Sequence, residues 1–96
     1  MPEIKATPTL QIDNESLRVT EWRFPRRAAT GYHRHALDYV VVPITDGELE
    51  LIGPDGNRTR ARLEQGKSYY RKAGVEHDVV NVGDDMMIFV EIELIR

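Results

Sequence analysis

All three histidines of this chain fall in two short segments. The first is Gly31-Tyr32-His33-Arg34-His35, and the second runs from Gly66 through Gly74 and His77 to Asn81. On a β-strand successive side chains alternate faces, so His33 and His35 project to the same side. A third imidazole arriving from another strand would complete a three-nitrogen face for a divalent metal, with coordination positions left open. Three neutral imidazoles leave the charge of such an ion uncompensated, so the open positions favour water, an anionic substrate group or O₂. A metal held this way can polarise a substrate, lower the pKa of bound water, or place substrate beside oxygen. The donor set suits Fe, Ni, Zn or Cu.

A His-x-His pair by itself is a weak signal, since two strand histidines also arise incidentally. The second segment strengthens it through its long, specific spacing of Gly66, Gly74, His77 and Asn81, and the competing metal-free trio would leave buried ring nitrogens in need of partners.

The composition narrows the remaining possibilities. Ninety-six residues fit one domain, and a chain this short gains from dimerisation or a bound metal. With no cysteine, disulfides and thiolate ligands are excluded; a cytoplasmic protein is compatible with this. No basic-plus-apolar leader opens the chain, and the apolar runs are far short of the ~20 residues of a membrane span. A net charge of −3 offers nothing for nucleic acid or an acidic membrane to hold.

The elements that must position the histidines read as strands. Two prolines and no apolar period mark residues 1–9 as a loose N-terminal arm, leaving 10–96 as the folded domain. Leu10 to Phe24 reads as two short strands broken at Asp13-Asn14. Pro25 to Gly31 is a loop, and Asp38 to Thr45 is a Val-, Ile- and Tyr-rich strand in which Pro43 calls for a bulge or an edge. Glu48 to Ile52 and Arg58 to Leu63 form a hairpin around Asp55. Glu50 then faces Arg60, Glu48 faces Arg62, and Leu49, Leu51, Thr59 and Ala61 point to the core. The Arg58/Arg60/Arg62 row is thereby a paired, solvated face rather than a nucleic-acid stripe. Short strands at Ser68–Arg71 and His77–Val82 and a long one at Met86–Ile95 follow. No helical period of useful length occurs, so the fold class is all-β, a small antiparallel barrel or two-sheet sandwich.

The spacing Gly66, seven residues, Gly74, two, His77, three, Asn81, joined to the His-x-His segment, resembles the two motifs of the cupin superfamily from about Trp22 to Asn81. The string from Gly31 to Pro43 further resembles small stand-alone cupins linked with β-alanine degradation. The resemblance implies a single-domain jelly-roll barrel with one divalent transition metal (Fe, Ni or Zn) per chain. It assigns His33, His35 and His77 as ligands and Gly47, Gly66, Gly74 and Asn81 as structural landmarks. It also implies a homodimer in which the last strand and the N-terminal arm make the contact.

Two positions depart from the family pattern: its second-motif proline is Lys72, and its glutamate ligand aligns with Tyr39. A phenol is a poor ligand at neutral pH, and Asp38 points away by alternation unless a bulge re-aims it. The expectation is therefore a three-histidine site of thiol-dioxygenase style, with Tyr39 as a hydrogen-bond donor beside it. Glu91 or Glu93 could enter the barrel as the missing carboxylate, but solvent or a subunit partner is the simpler destination. Arg71 and Arg23 could bind a substrate carboxylate, although a solvated or paired arginine is the simpler reading of each. Arg34 should point outward, and of Tyr69 and Tyr70 one should be buried. The function expected is a metal-dependent small-molecule enzyme, oxygenase-like, acting on a small anionic metabolite. A non-catalytic metal-dependent binding or sensing module for a small carboxylate is the alternative, and a metal-free structural protein comes third.

Overall fold

The computed structural model describes residues 4–95. Residues 1–3 of the expected arm, and Arg96, lie outside them. Nine strands make up the described chain: β1 (Thr7–Asp13), β2 (Leu17–Phe24), β3 (His33–Arg34), β4 (Tyr39–Pro43), β5 (Gly47–Ile52), β6 (Arg58–Leu63), β7 (Tyr69–Arg71), β8 (Glu76–Asn81) and β9 (Met87–Leu94). They form two antiparallel sheets, one ordered β1-β2-β9-β4-β7 and the other β3-β8-β5-β6. The sheets face each other as a jelly roll, and the all-β expectation is met.

Each turn has a local cause. Between β1 and β2 the Asn14 carboxamide oxygen accepts the amides of Ser16 and Leu17 at 2.8 and 3.0 Å, an Asx turn that reverses the chain. The β5–β6 hairpin closes through Gly53 N–H to Asn57 O at 2.9 Å and through the Asp55 carboxylate, which accepts the Asn57 amide. Its register pairs Glu48 with Arg62 and Glu50 with Arg60, as expected. The side chains nevertheless pair diagonally, Arg58 with Glu50 at 2.7 Å and Arg60 with Glu48 at 3.4 Å. Strand twist brings such diagonal neighbours within reach of long side chains. Leu49 is buried and Leu51 and Ala61 pack against the core, but Thr59, near the hairpin tip, is exposed rather than inward.

Two boundaries differ from the sequence expectation. The chain is drawn into the fold before Leu10: the Ala29 carbonyl accepts from Ala6 N–H and the Ala29 N–H donates to Ile4 O, both at 2.9 Å, Ala6 is buried, and β1 starts at Thr7. Pro8 is tolerated there because β1 is an edge strand. Pro43 neither bulges nor edges; it ends β4. The β4–β7 pairing stops at Val41, so the missing N–H of Pro43 costs no ladder bond there, while its carbonyl accepts from Gly66 at 2.8 Å.

Phe24, Val41, Leu49, Leu63, Val79, Met87 and Phe89 fill the space between the sheets. Phe24 and Phe89 pack at a tilt with centroids 5.3 Å apart. A Cβ at Gly47 would run into Sδ of Met87, which explains a glycine at that landmark by packing rather than by backbone angle. Asn81 is fully buried. Its amide nitrogen donates to Phe24 O and Asp85 O at 2.9 Å, and its oxygen accepts from Gly83 N–H at 3.0 Å. It ties β8 to the end of β2 and to the turn that leads into β9, which lie side by side where Phe24 pairs with Met87. β9 lies between β2 and β4, so the last strand is interior to its sheet and offers a face, not an edge, to any partner.

Candidate metal centre

The histidines come together where β3 and β8 pair, His33 opposite His77. The strand is only two residues long, but His35 is clamped just past its end: its N–H donates to Val75 O and its C=O accepts from Gly74 N–H, both at 2.8 Å. Gly74 makes that clamp in a left-handed conformation, φ 104°, which a side chain would strain. The rings meet edge-on, with centroids 4.7 to 5.1 Å apart. Nε2 of His35 stands 3.0 Å from Nε2 of His33 and 3.1 Å from Nε2 of His77.

Tautomers follow from the surroundings. Nδ1 of His33 lies 2.9 Å from the carbonyl of Gly31, so it carries the proton and leaves a lone pair on Nε2. Burial, helped by neighbouring His33, lowers the pKa of His35 to about 4. Burial, then His33, His35 and Arg71, does the same for His77, also to about 4. Both rings are therefore neutral at pH 7.

The triad opens into a cavity of about 560 Å³ between the sheets. Val41, Leu49, Leu51, Val79 and Phe89 make its apolar wall, and Trp22, Tyr39, Tyr69, Arg71, Glu91 and Glu93 its polar features. Tyr39 is buried and stacks on His35 with centroids 4.0 Å apart. Burial raises its phenol to about 12, so it is a neutral donor. Asp38 points away, accepting from Tyr70 Oη and the Ala73 amide at 2.8 Å each; no bulge re-aims it.

The C-terminal glutamates depart from the simpler expectation. Along β9 the inward face is Met87, Phe89, Glu91 and Glu93, and the apolar set Ile88, Val90, Ile92 and Leu94 faces out. Glu93 reaches Arg18 at 3.7 Å. Glu91 Oε2 stands 4.0 Å from Nδ1 of His35, on the ring edge opposite the converging nitrogens. Burial and then Glu93 raise its carboxyl to about 7, opposed by a hydrogen bond from Trp22. Since His35 is neutral, this contact is not an ion pair despite its geometry.

Arg71 and Arg23 part company. Arg71 lines the cavity, its guanidinium 4.7 Å above the Tyr69 ring. Arg23 does not reach it: paired with Ile88 on β9, it shares the outer face and binds Glu21 at 2.8 Å. Arg34 is exposed at the cavity rim. Of Tyr69 and Tyr70, the first lines the cavity and the second is exposed. Trp22 and Thr30 were not legible as site residues. Thr30 Oγ1 lies 3.3 Å from His33 Nδ1 and accepts the Val79 amide at 3.2 Å; only the sheet pairing brings either residue here.

A protein named beta-alanine degradation protein BauB, from Pseudomonas aeruginosa, is 54% identical over 90 residues, 94% of each chain. The crystal structure of a cupin domain from Bordetella pertussis superposes with a TM-score of 0.95 at 52% identity, covering 100% of this chain and 99% of that one. A double-stranded β-helix protein from Klebsiella pneumoniae, 22% identical and covering 94% of this chain and 76% of its own, shares the fold at a TM-score of 0.77. The family described as Cupin domain matches residues 20–93. That match runs from β2 to β9 and takes in all three histidines, so the chain belongs to the cupin family.

Proposed function

We propose that this chain is a metal-dependent small-molecule enzyme of oxygenase type, acting on a small anionic metabolite through one divalent ion held by His33, His35 and His77. The observation that carries the reading is the convergence of three Nε2 atoms at the head of a cavity. A proton on His35 Nε2 can serve only one of its two neighbours, whereas a single cation satisfies all three nitrogens. The spacings of 3.0 and 3.1 Å suit donors at right angles on an ion with bonds of about 2.1 Å; a tetrahedral pair would stand about 3.4 Å apart. With His35 and His77 neutral, neither of them has a proton to displace at pH 7. Such an ion, Fe, Ni or Zn, supplies Lewis acidity and open positions for substrate, water or O₂.

The chain's own residues do the rest. Arg71, facing inward from β7, receives the carboxylate end of the ligand. The apolar wall excludes water from its body, and Tyr39 donates a proton-bearing hydroxyl beside His35. The name of the Pseudomonas relative supports a small carboxylate of the β-alanine degradation route as the ligand. A second reading, a metal-dependent binding or sensing module for a small carboxylate, is favoured by the apolar wall, which leaves few groups to orient a reacting bond.

A homodimer, joined through the outer face of the β1-β2-β9-β4-β7 sheet, and a cytoplasmic location belong to the same reading. The face presents Val40, Val42, Val90 and Ile92, which are only half-buried.

Metal content per chain tests the reading first, on wild type and on His35→Ala and His77→Ala. Near-stoichiometric metal in the wild type, lost in both folded variants, is expected. A folded wild type that takes up neither Fe(II), Ni(II) nor Zn(II) would overturn it. Oxygen consumption with Fe(II) and small carboxylates then separates the enzyme from the binding module.

A further inference from the structure

Glu91 sits on the inner face of β9, paired in the ladder with Thr20 on β2, and Trp22 of that strand donates a hydrogen bond to it. Its Oε2 is 4.0 Å from Nδ1 of His35. It cannot join the triad as a fourth ligand from there, because the converging Nε2 atoms lie at the opposite edge of the His35 ring; among the described residues the cluster of potential ligands is the three histidines alone. His33 has its Nδ1 proton fixed by the backbone of Gly31, but among the described residues no backbone carbonyl plays that part for His35. We propose that Glu91, held by Trp22, is a positioning residue for His35: it accepts the Nδ1 proton, fixes the ring with Nε2 free, and so supplies from β9 the carboxylate that Tyr39 does not supply from β4.

The present gap is about 1 Å longer than a hydrogen bond. Coordination at Nε2 makes the Nδ1 proton more acidic, and the carboxylate oxygen is the acceptor on that side. Carboxylates behind metal-bound imidazoles set ring orientation and basicity. Tyr39, stacked on the flat of the same ring, holds the remaining degree of freedom.

This inference rests on the metal-site reading above, and the two are tested separately. Ni(II) and Zn(II) affinities are measured for wild type, Glu91→Leu, Glu91→Gln and Trp22→Phe, alongside the thermal midpoint of each metal-free protein. Glu91→Leu should bind about 10- to 100-fold more weakly, with a metal-free midpoint no lower than wild type, since a buried carboxyl has been removed. Glu91→Gln, which keeps an acceptor, should fall between. In the Zn(II) form a slowly exchanging His35 Nδ1 proton should appear by NMR and be lost in Glu91→Leu. Affinity of Glu91→Leu within twofold of wild type overturns the assignment, as does a loss matched by an equal fall in metal-free stability. Wild type that binds neither metal removes the metal-site reading itself.

Discussion

His35 and His77 titrate near 4 rather than near 6.5 because burial, with like-charged neighbours, penalises their protonated forms. An unfolded chain takes up those protons from about pH 6.5 downward while the folded one does not. Their contribution to stability is thus fully present above pH 6.5 and lost as pH falls to about 4. Glu91, raised to about 7 from 4.5, works in the opposite sense: it destabilises the fold above neutrality, and the penalty is relieved on acidification. Two rings outweigh one carboxyl, so the metal-free protein should lose stability between pH 6.5 and 4. Denaturation midpoints across that range check this, with His77→Ala flattening the profile and Glu91→Gln steepening it. A bound metal should be held by the folded protein until pH falls to about 4, where protons begin to compete for the same nitrogens.

At the scale of the element, β8 carries both a histidine and the residue that anchors the strand. Asn81 satisfies carbonyls from the β2–β3 loop and the turn before β9, so Asn81→Ala leaves several buried groups without partners. It should destabilise the chain by about 2–4 kcal/mol while leaving metal stoichiometry unchanged in the protein that remains folded. Chemical denaturation and metal analysis on one sample separate the two effects. The β5–β6 ion pairs are a contrast. Their arginines are about three-fifths exposed, so removing them should change stability little.

The whole molecule is a thin double-sheeted barrel whose interior is shared between core and cavity. Small chains bury a limited fraction of their surface, and the outer face of the larger sheet is apolar through Val40, Val42, Val90 and Ile92. Ile92→Lys places a charge in the middle of that face. If the face joins two copies, this variant should sediment as a monomer at concentrations where wild type is a dimer, with cavity and metal affinity preserved. Equal sedimentation of the two proteins would remove the dimer proposal.

Alternation, turn residues and motif spacing are local properties, and they were enough to read the strands, the β5–β6 register, the fold class and the three histidines as one cluster. Sequence order could not say which face of β9 turns inward. Its apolar set, Ile88 to Leu94, is the obvious candidate for a core, yet the ladder with β2 and β4 places Met87, Phe89, Glu91 and Glu93 inside. That face is chosen by its neighbours: Phe24 and Pro43 pair beside Met87 and Phe89 in the ladders, and Trp22, Tyr39 and His35 stand by the carboxylates. The same pairing sent Arg71 into the cavity and Arg23 out of it, although both are arginines in β-strands. Burial and partnership are decided by neighbours distant along the chain, and only the tertiary structure supplies those neighbours.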